Sequence, residues 1–130
     1  MDGAILLIDN DLGQAFRLGR ALDHAGFQTF PARTIADAID LLSRLHLTVD
    51  ILLLDCNLLG AEEFIGVLQS GRRVPRVICL NRNVHSCIRG ADMASRAPAD
   101  LSDDSIAQWV REIREMLLCY SLTPLSNVFH

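Results

Sequence analysis

Lysine is missing from this chain: all twelve of its Lys/Arg-class cations are arginines. Any role that calls for an ammonium group falls to a guanidinium or is left unfilled. Paired metal ligands are missing as well. Cys56, Cys79, Cys87 and Cys119 form no Cys-x-x-Cys pair, and His24, His46, His85 and His130 are scattered. No structural zinc spacing is present, and reduced, partly buried thiols are expected ahead of a metal site or a disulfide. No apolar run approaches the roughly 20 residues of a membrane span. The first residues lack the basic start of a secretory signal, so a cytoplasmic location is expected. The net charge of -4 argues against broad nucleic-acid binding, which needs phosphate-neutralising cations. Neither an internal repeat nor a low-complexity segment interrupts the chain.

A length of 130 residues with 50% hydrophobic and 22% charged residues describes one ordinary globular domain. Two apolar runs within it each stop on an aspartate. The first is Ala4-Ile5-Leu6-Leu7-Ile8-Asp9 and the second Val49-Asp50-Ile51-Leu52-Leu53-Leu54-Asp55. Continuous apolar runs of this length suit strands buried on both faces. Ligands of an open parallel sheet bind beyond the carboxyl ends of its strands, so strand-end acids mark a site.

Between and after these runs, helical and strand patterns alternate. Leu12, Ala15, Phe16, Gly19 and Leu22 recur at helical spacing, with Gly26 as a stop. Residues 27–30 read as a second strand closed by Pro31. Thr34 with Asp37 resembles a capping arrangement ahead of the stripe Ile35, Ala38, Ile39, Leu42 and Leu45. Residues 50–54 are the most hydrophobic strand and are expected at the centre of the sheet. Ala61, Phe64, Ile65 and Leu68 mark a third helix, and residues 77–80 a fourth strand. Residues 81–90 are polar with few apolar anchors, so any helix there is short. Residues 91–96 make a fifth strand. Ser102 is an N-cap for a last helix whose buried face is Ile106, Trp109, Val110, Ile113 and Leu117. The pattern predicts a single α/β domain over residues 1–118, a doubly wound flavodoxin-like (βα)5 fold with parallel order 2-1-3-4-5 and the fourth helix shortened or missing. Residues 119–130 are expected to form a tail or linker. Strands 1 and 3 are neighbours in that order, which brings Asp9 and Asp55 to one crevice.

The whole order and spacing resemble the receiver domain of bacterial two-component response regulators, from residue 4 to about residue 118. Ile5-Leu6-Leu7-Ile8-Asp9-Asn10-Asp11 looks like the acidic end of that family's first strand. Gly26-Phe27 and Ala36-Asp37-Ala38-Ile39 resemble its second strand and helix. Asp50-Ile51-Leu52-Leu53-Leu54-Asp55 resembles its third strand, and Asn57-Leu58-Leu59-Gly60 stands where a Met-Pro-Gly type turn is usual. Gly90-Ala91 and Ala97-Pro98 fall where the family has Gly-Ala and Lys-Pro.

The resemblance implies that Asp55 accepts a phosphoryl group from a phosphohistidine on a partner sensor kinase. It implies a Mg²⁺ site made by Asp9, Asn10, Asp55 and the backbone carbonyl of Asn57, since phosphoryl transfer needs its charge neutralised. Asn10 stands where a second acid is usual and brings no charge. Asp11 compensates only if its loop turns it inward. The hydroxyl position is Leu80, the lysine position Ala97 and the aromatic switch position Ala94. Arg82 is the substitute cation this sequence offers, because adjacent Arg96 points to the other face of its strand. These degenerate positions imply a pseudo-receiver: a signalling domain, not an enzyme, that binds Mg²⁺ weakly or not at all and works through contacts with a sensor histidine kinase or downstream effector. A monomer or weak homodimer is expected, without membrane or direct nucleic-acid contact. The alternative is a working Mg²⁺-dependent phosphoacceptor using Asp55.

Two further readings start from other residues. Asp9-Asn10-Asp11 looks faintly like the Asp-x-Asp signature of haloacid-dehalogenase-type phosphatases, with Asp9 as nucleophile and Asp11 as acid/base. Gly13 and the lack of lysine count against it. Arg72, Arg73, Arg76, Arg82, Arg89 and Arg96 fall in one stretch, but Arg72 to Arg76 lead into the fourth strand at the end opposite the acids. They are expected to be solvated charges rather than one basic patch.

Overall fold

The computed structural model describes residues 3–71, 74–81, 89–98 and 100–127, with side chains described as far as Cys119. The chain divides into two compact units, Met1–Ala97 and Pro98–His130. The first unit holds a five-stranded parallel sheet in the order β2-β1-β3-β4-β5. Its strands are β1 (Ala4–Ile8), β2 (Gln28–Ala32), β3 (Ile51–Asp55), β4 (Arg76–Asn81) and β5 (Met93–Arg96), and its helices α1 (Leu12–His24), α2 (Ile35–Leu45) and α3 (Ala61–Gln69). This is the doubly wound flavodoxin-like order expected from the sequence, with β3 at the centre.

Strand alternation decides which helix covers which face. Leu6, Ile8, Leu52, Leu54 and Val77 pack in one cluster with Ala38 of α2 and Ala61, Phe64 and Ile65 of α3. Residues between them, such as Leu7, face the other way, beneath α1. Gly19 permits that approach: a Cβ on it would lie 3.3 Å from Thr29 Cγ2 and 3.8 Å from Leu7 Cδ2. Ile5 to Ile8 and Leu52 to Leu54 are fully buried. Each such side chain contributes about 1.5–3 kcal/mol of transfer free energy to the sheet.

Pro31 does not end β2, as the sequence reading had it. The strand runs on to Ala32, and Pro31 pairs with Leu7. β2 is an edge strand whose N–H groups alternate in direction. Gln28 N–H points inward to Gly3 O at 3.0 Å, while Thr29 N–H points outward and donates to the Asp23 carboxylate at 2.8 Å. Pro31 shares the outward parity of Thr29, so its missing N–H removes no ladder bond. Thr34 caps α2 as expected, its hydroxyl accepting from Asp37 N–H at 3.1 Å.

Among the described residues, the link from β4 to β5 contains no helix. The shortened or missing fourth helix falls largely on residues 82–88, outside the described residues. The fourth helix in chain order is present but follows β5: α4 (Asp103–Asn127), in the second unit. Ser102 opens it, its hydroxyl accepting from Ser105 N–H at 3.3 Å. Ile106, Trp109, Val110, Ile113 and Leu117 are its buried residues, the stripe read from the sequence. The helix continues to Asn127, so the segment expected as a tail from residue 119 begins as helix. No described helix is long and apolar enough to cross a membrane.

Candidate functional site

The strand register brings Asp9 and Asp55 together. Ile8 pairs with Leu54, and each acid is the next residue along its strand. They share one face and are separated by about one strand spacing, near 4.8 Å. The row continues across the sheet, because Asp55 pairs with Leu80 and Leu80 with Ser95. An apolar side chain thus separates the carboxylate from the next polar group. Leu80 is 4% exposed, so it fills this position with a packed hydrocarbon wall. Ser95 carries a hydroxyl in the same row, but two strand spacings, about 9–10 Å, exceed hydrogen-bond reach to Asp55.

The two acids differ in their surroundings. Asp9 is buried and both its oxygens are engaged. Oδ1 accepts from Asp11 N–H at 2.9 Å and Oδ2 from the Gln14 side-chain amide at 2.6 Å. Asp55 is half-buried at the strand end, with Oδ1 accepting from Asn57 N–H at 2.9 Å. That bond and Leu58 N–H to Asp55 O at 3.2 Å turn the chain out of β3 toward Gly60, whose φ of 83° starts α3. Such a conformation favours glycine.

Asn10 is exposed beside Asp9. Asp11 does not turn inward to supply the missing charge. It is the N-cap of α1, with its Oδ1 accepting from Gln14 N–H at 3.1 Å. This bond satisfies an orphan donor of the first helical turn, and it also occupies the side chain that the phosphatase reading needs as acid/base. Among the described residues no group of three His, Cys, Asp or Glu side chains is placed to hold a metal ion. The Asp9, Asn10, Asp55 and Asn57 donors are all oxygens, the type Mg²⁺ prefers, but they include two charges only. One of the two carboxylates already accepts a hydrogen bond from the protein on each of its oxygens. These residues do not fit a firmly held divalent ion.

The positions that the resemblance assigns to gripping a phosphoryl group can be followed along the strand register. Ala97 follows β5, its N–H donating to Asn81 O at 2.9 Å, and by alternation it shares the face of Ser95 and Asp55. Its methyl group can donate no hydrogen bond. Arg96 pairs with Asn81 and so points to the opposite face, as expected. Ala94 pairs with Cys79 on that opposite face and is exposed. Arg82 lies outside the described residues, as do Arg72 and Arg73 of the basic stretch. Arg76 opens β4 at the end away from Asp55.

Two side chains escaped the sequence reading. Gln14 is one. Its signal was the spacing Asp11-x-x-Gln14, the pattern of a capping box, in which a glutamine at the third helical position folds back over the helix start. The other is Asn81, buried at the end of β4, whose Oδ1 accepts from the Cys56 thiol on the face away from Asp55. Nothing in a lone Asn after an apolar strand announces that pairing.

No protein-family model matches the chain, and no curated protein aligns with it significantly. Solved structures do. The chemotaxis response regulator CheY4 of Vibrio cholerae superposes with a TM-score of 0.64 at 14% identity, over 85% of this chain and 98% of that one. The fold is that of a response-regulator receiver domain. The response regulator TrrA of Thermotoga maritima, solved with Mg²⁺ and a beryllofluoride, gives a TM-score of 0.62 at 16% identity over 82% and 98% of the two chains. An atypical orphan response regulator, described as revealing a phosphorylation-independent regulatory mechanism, gives 0.59 at 18% identity over 83% and 95%. At these identities the receiver likeness is one of fold, and the chemistry has to be argued from this chain's own residues.

Proposed function

We propose that this chain is a pseudo-receiver: a response-regulator receiver-like signalling module that acts through protein contacts and not through a phosphorylation switch. The observation that carries this reading is the register of Asp55 with Leu80, with Ala97 on the same face. A lysine bond to a phosphoryl oxygen is worth roughly 1.5–3 kcal/mol and a hydroxyl bond nearer 1 kcal/mol. Without both, the phosphorylated state loses about 2.5–4 kcal/mol, a factor of about 10² to 10³ in population. A receiver switches across a gap of only a few kcal/mol, so that loss removes the coupling. Weak or absent Mg²⁺ binding acts in the same direction. The module is a cytoplasmic binding protein, a monomer or weak dimer, whose partner is a sensor kinase or an effector protein. It has no catalytic turnover of its own.

A second reading, a working phosphoacceptor, draws on the half-buried Asp55 at the carboxyl end of the central strand. One experiment separates the two. The chain is exposed to a small phosphodonor with Mg²⁺, and the labelled fraction is measured by intact mass. The pseudo-receiver reading expects little or no adduct. Stoichiometric labelling that is absent from Asp55→Asn overturns it in favour of the phosphoacceptor.

A further inference from the structure

We propose that Gln14 is a built-in competitor of divalent cations at Asp9, so that the acidic corner of this domain is completed by its own side chain instead of by a metal. This inference rests on the receiver-like reading of the site and deepens it. Three bonds close the corner. Asp11 N–H donates to Asp9 Oδ1 at 2.9 Å, Gln14 N–H donates to Asp11 Oδ1 at 3.1 Å, and the Gln14 side chain donates to Asp9 Oδ2 at 2.6 Å. The identity of the last donor is fixed by chemistry: an ionised carboxylate only accepts, so the glutamine atom facing it is the amide nitrogen. The bond is short and charge-assisted, the stronger class of hydrogen bond. Asp9 is 3% exposed, so its charge has little water to fall back on and depends on these two donors.

In a metal-dependent site the acids are held apart and left hungry, and the ion supplies the neutralising charge. Here the first acid is satisfied beforehand. Its neighbour Asn10 carries no charge, and Asp11 is committed to capping α1. A divalent ion entering the corner has to displace the Gln14 amide from Asp9 or share its oxygens with it. Gln14 sits on the third residue of α1, and its backbone is fixed by the Asp11 cap. The amide is therefore presented by a rigid element and not by a mobile loop. The consequence is an acidic corner whose geometry does not depend on the concentration of Mg²⁺.

The test is a titration of the full chain with Mn²⁺, following paramagnetic broadening of the backbone amide signals of Asp9, Asn10 and Asp55. Gln14→Met keeps the length and helix preference of the side chain but has no donor. Gln14→Ala removes the competitor entirely and serves if the methionine packs badly. Release of Asp9 is expected to tighten Mn²⁺ binding by about tenfold in either variant, the equivalent of one charge-assisted hydrogen bond. Asn10→Asp should tighten it through added charge, and the double variant with Gln14→Met should exceed both. In the wild type the Gln14 side-chain amide signals should broaden only at the high Mn²⁺ concentrations that displace it. Affinities of both Gln14 variants within twofold of wild type overturn the proposal. That result would leave the pseudo-receiver reading standing, whereas labelling of Asp55 by a phosphodonor would overturn the latter without touching the Gln14 effect.

Discussion

Asp55 and Leu80 stand side by side in the register of β3 and β4, so the half-buried carboxylate at the end of the central strand meets a packed hydrocarbon wall. Neighbouring parallel strands are about 4.8 Å apart, close enough for a side chain at this position to touch a group carried on Asp55. An alkyl group there supplies neither a donor nor a charge. The same face has only a methyl group at Ala97, one step beyond β5.

Restoring both groups should therefore restore chemistry. The double substitution Leu80→Thr with Ala97→Lys is expected to raise the fraction of Asp55 labelled by a small phosphodonor by about 10²-fold, from the two recovered bonds. Leu80→Thr alone should raise it by less than about tenfold. Replacing a buried leucine with threonine also costs roughly 2–3 kcal/mol of stability, so the melting temperature should fall while labelling rises. Intact mass and a thermal melt on the same samples check both. Unchanged labelling in the double variant would show that the grip is not what this site lacks.

Gly90 offers a test of the packing between α3 and the start of β5. Its φ is 92°, and a Cβ added to it would lie 2.7 Å from Ile65 Cγ2. Its carbonyl accepts from the Gln69 side-chain amide at 2.8 Å, which pins the turn to α3. Gly90→Ala adds backbone strain to overpacking of a buried isoleucine, so a loss of about 2–4 kcal/mol is expected. The urea midpoint should fall with little change in slope. Adding Ile65→Val should recover part of the loss, because it shortens the side chain that the new methyl group strikes.

The frame of the fold was legible because β1 and β3 are buried on both faces, which forces uninterrupted runs of Leu and Ile ending in acids. The helical stripes were equally plain, down to Trp109 and Ile113 in α4. What escaped depended on neighbours distant in sequence. Pro31 reads locally as a stop, and only its parity on an edge strand makes it harmless. Asp11 reads as a ligand or a cap, and the choice is made by the direction in which α1 leaves the site. Gln14 reads at most as part of a capping box, and its bond to Asp9 shows only once Asp9 is placed beneath it. The row from Asp9 to Ser95 is a property of the register, which no stretch of sequence contains.

The start of α4 should show a pH signature of its own. The Ser102 hydroxyl, then the Ser102 N–H, then the Ser105 hydroxyl hydrogen-bond the Asp100 carboxylate and lower its pKa from the ordinary value. A depressed carboxylate pKa contributes stability that is present above the unfolded pKa and is lost as pH falls through the folded one. Asp100→Asn removes that contribution. The difference in stability between wild type and Asp100→Asn should hold steady from pH 7 down to about 5, then shrink as pH drops below about 4. Urea titrations across that range check the sign, and a difference that grew on acidification would contradict it.

The buried pair on the far side of the strand ends makes a prediction for the core. The Cys56 thiol donates to Asn81 Oδ1, and Asn81 is 1% exposed. Removing the amide by Asn81→Ala takes away a buried polar partner and leaves a gap, for an expected loss of about 1–3 kcal/mol. Cys56→Ser keeps a donor of similar size and should cost less. A thiol is a weak donor, so the coupling between the two residues should be small beside the cost of losing the asparagine itself. A double-mutant cycle with Cys56→Ala and Asn81→Ala reads that coupling directly, and about 0.5–1 kcal/mol is expected. A coupling as large as the whole Asn81→Ala loss would mean that the thiol, and not the packing of the amide, holds this corner of the sheet together.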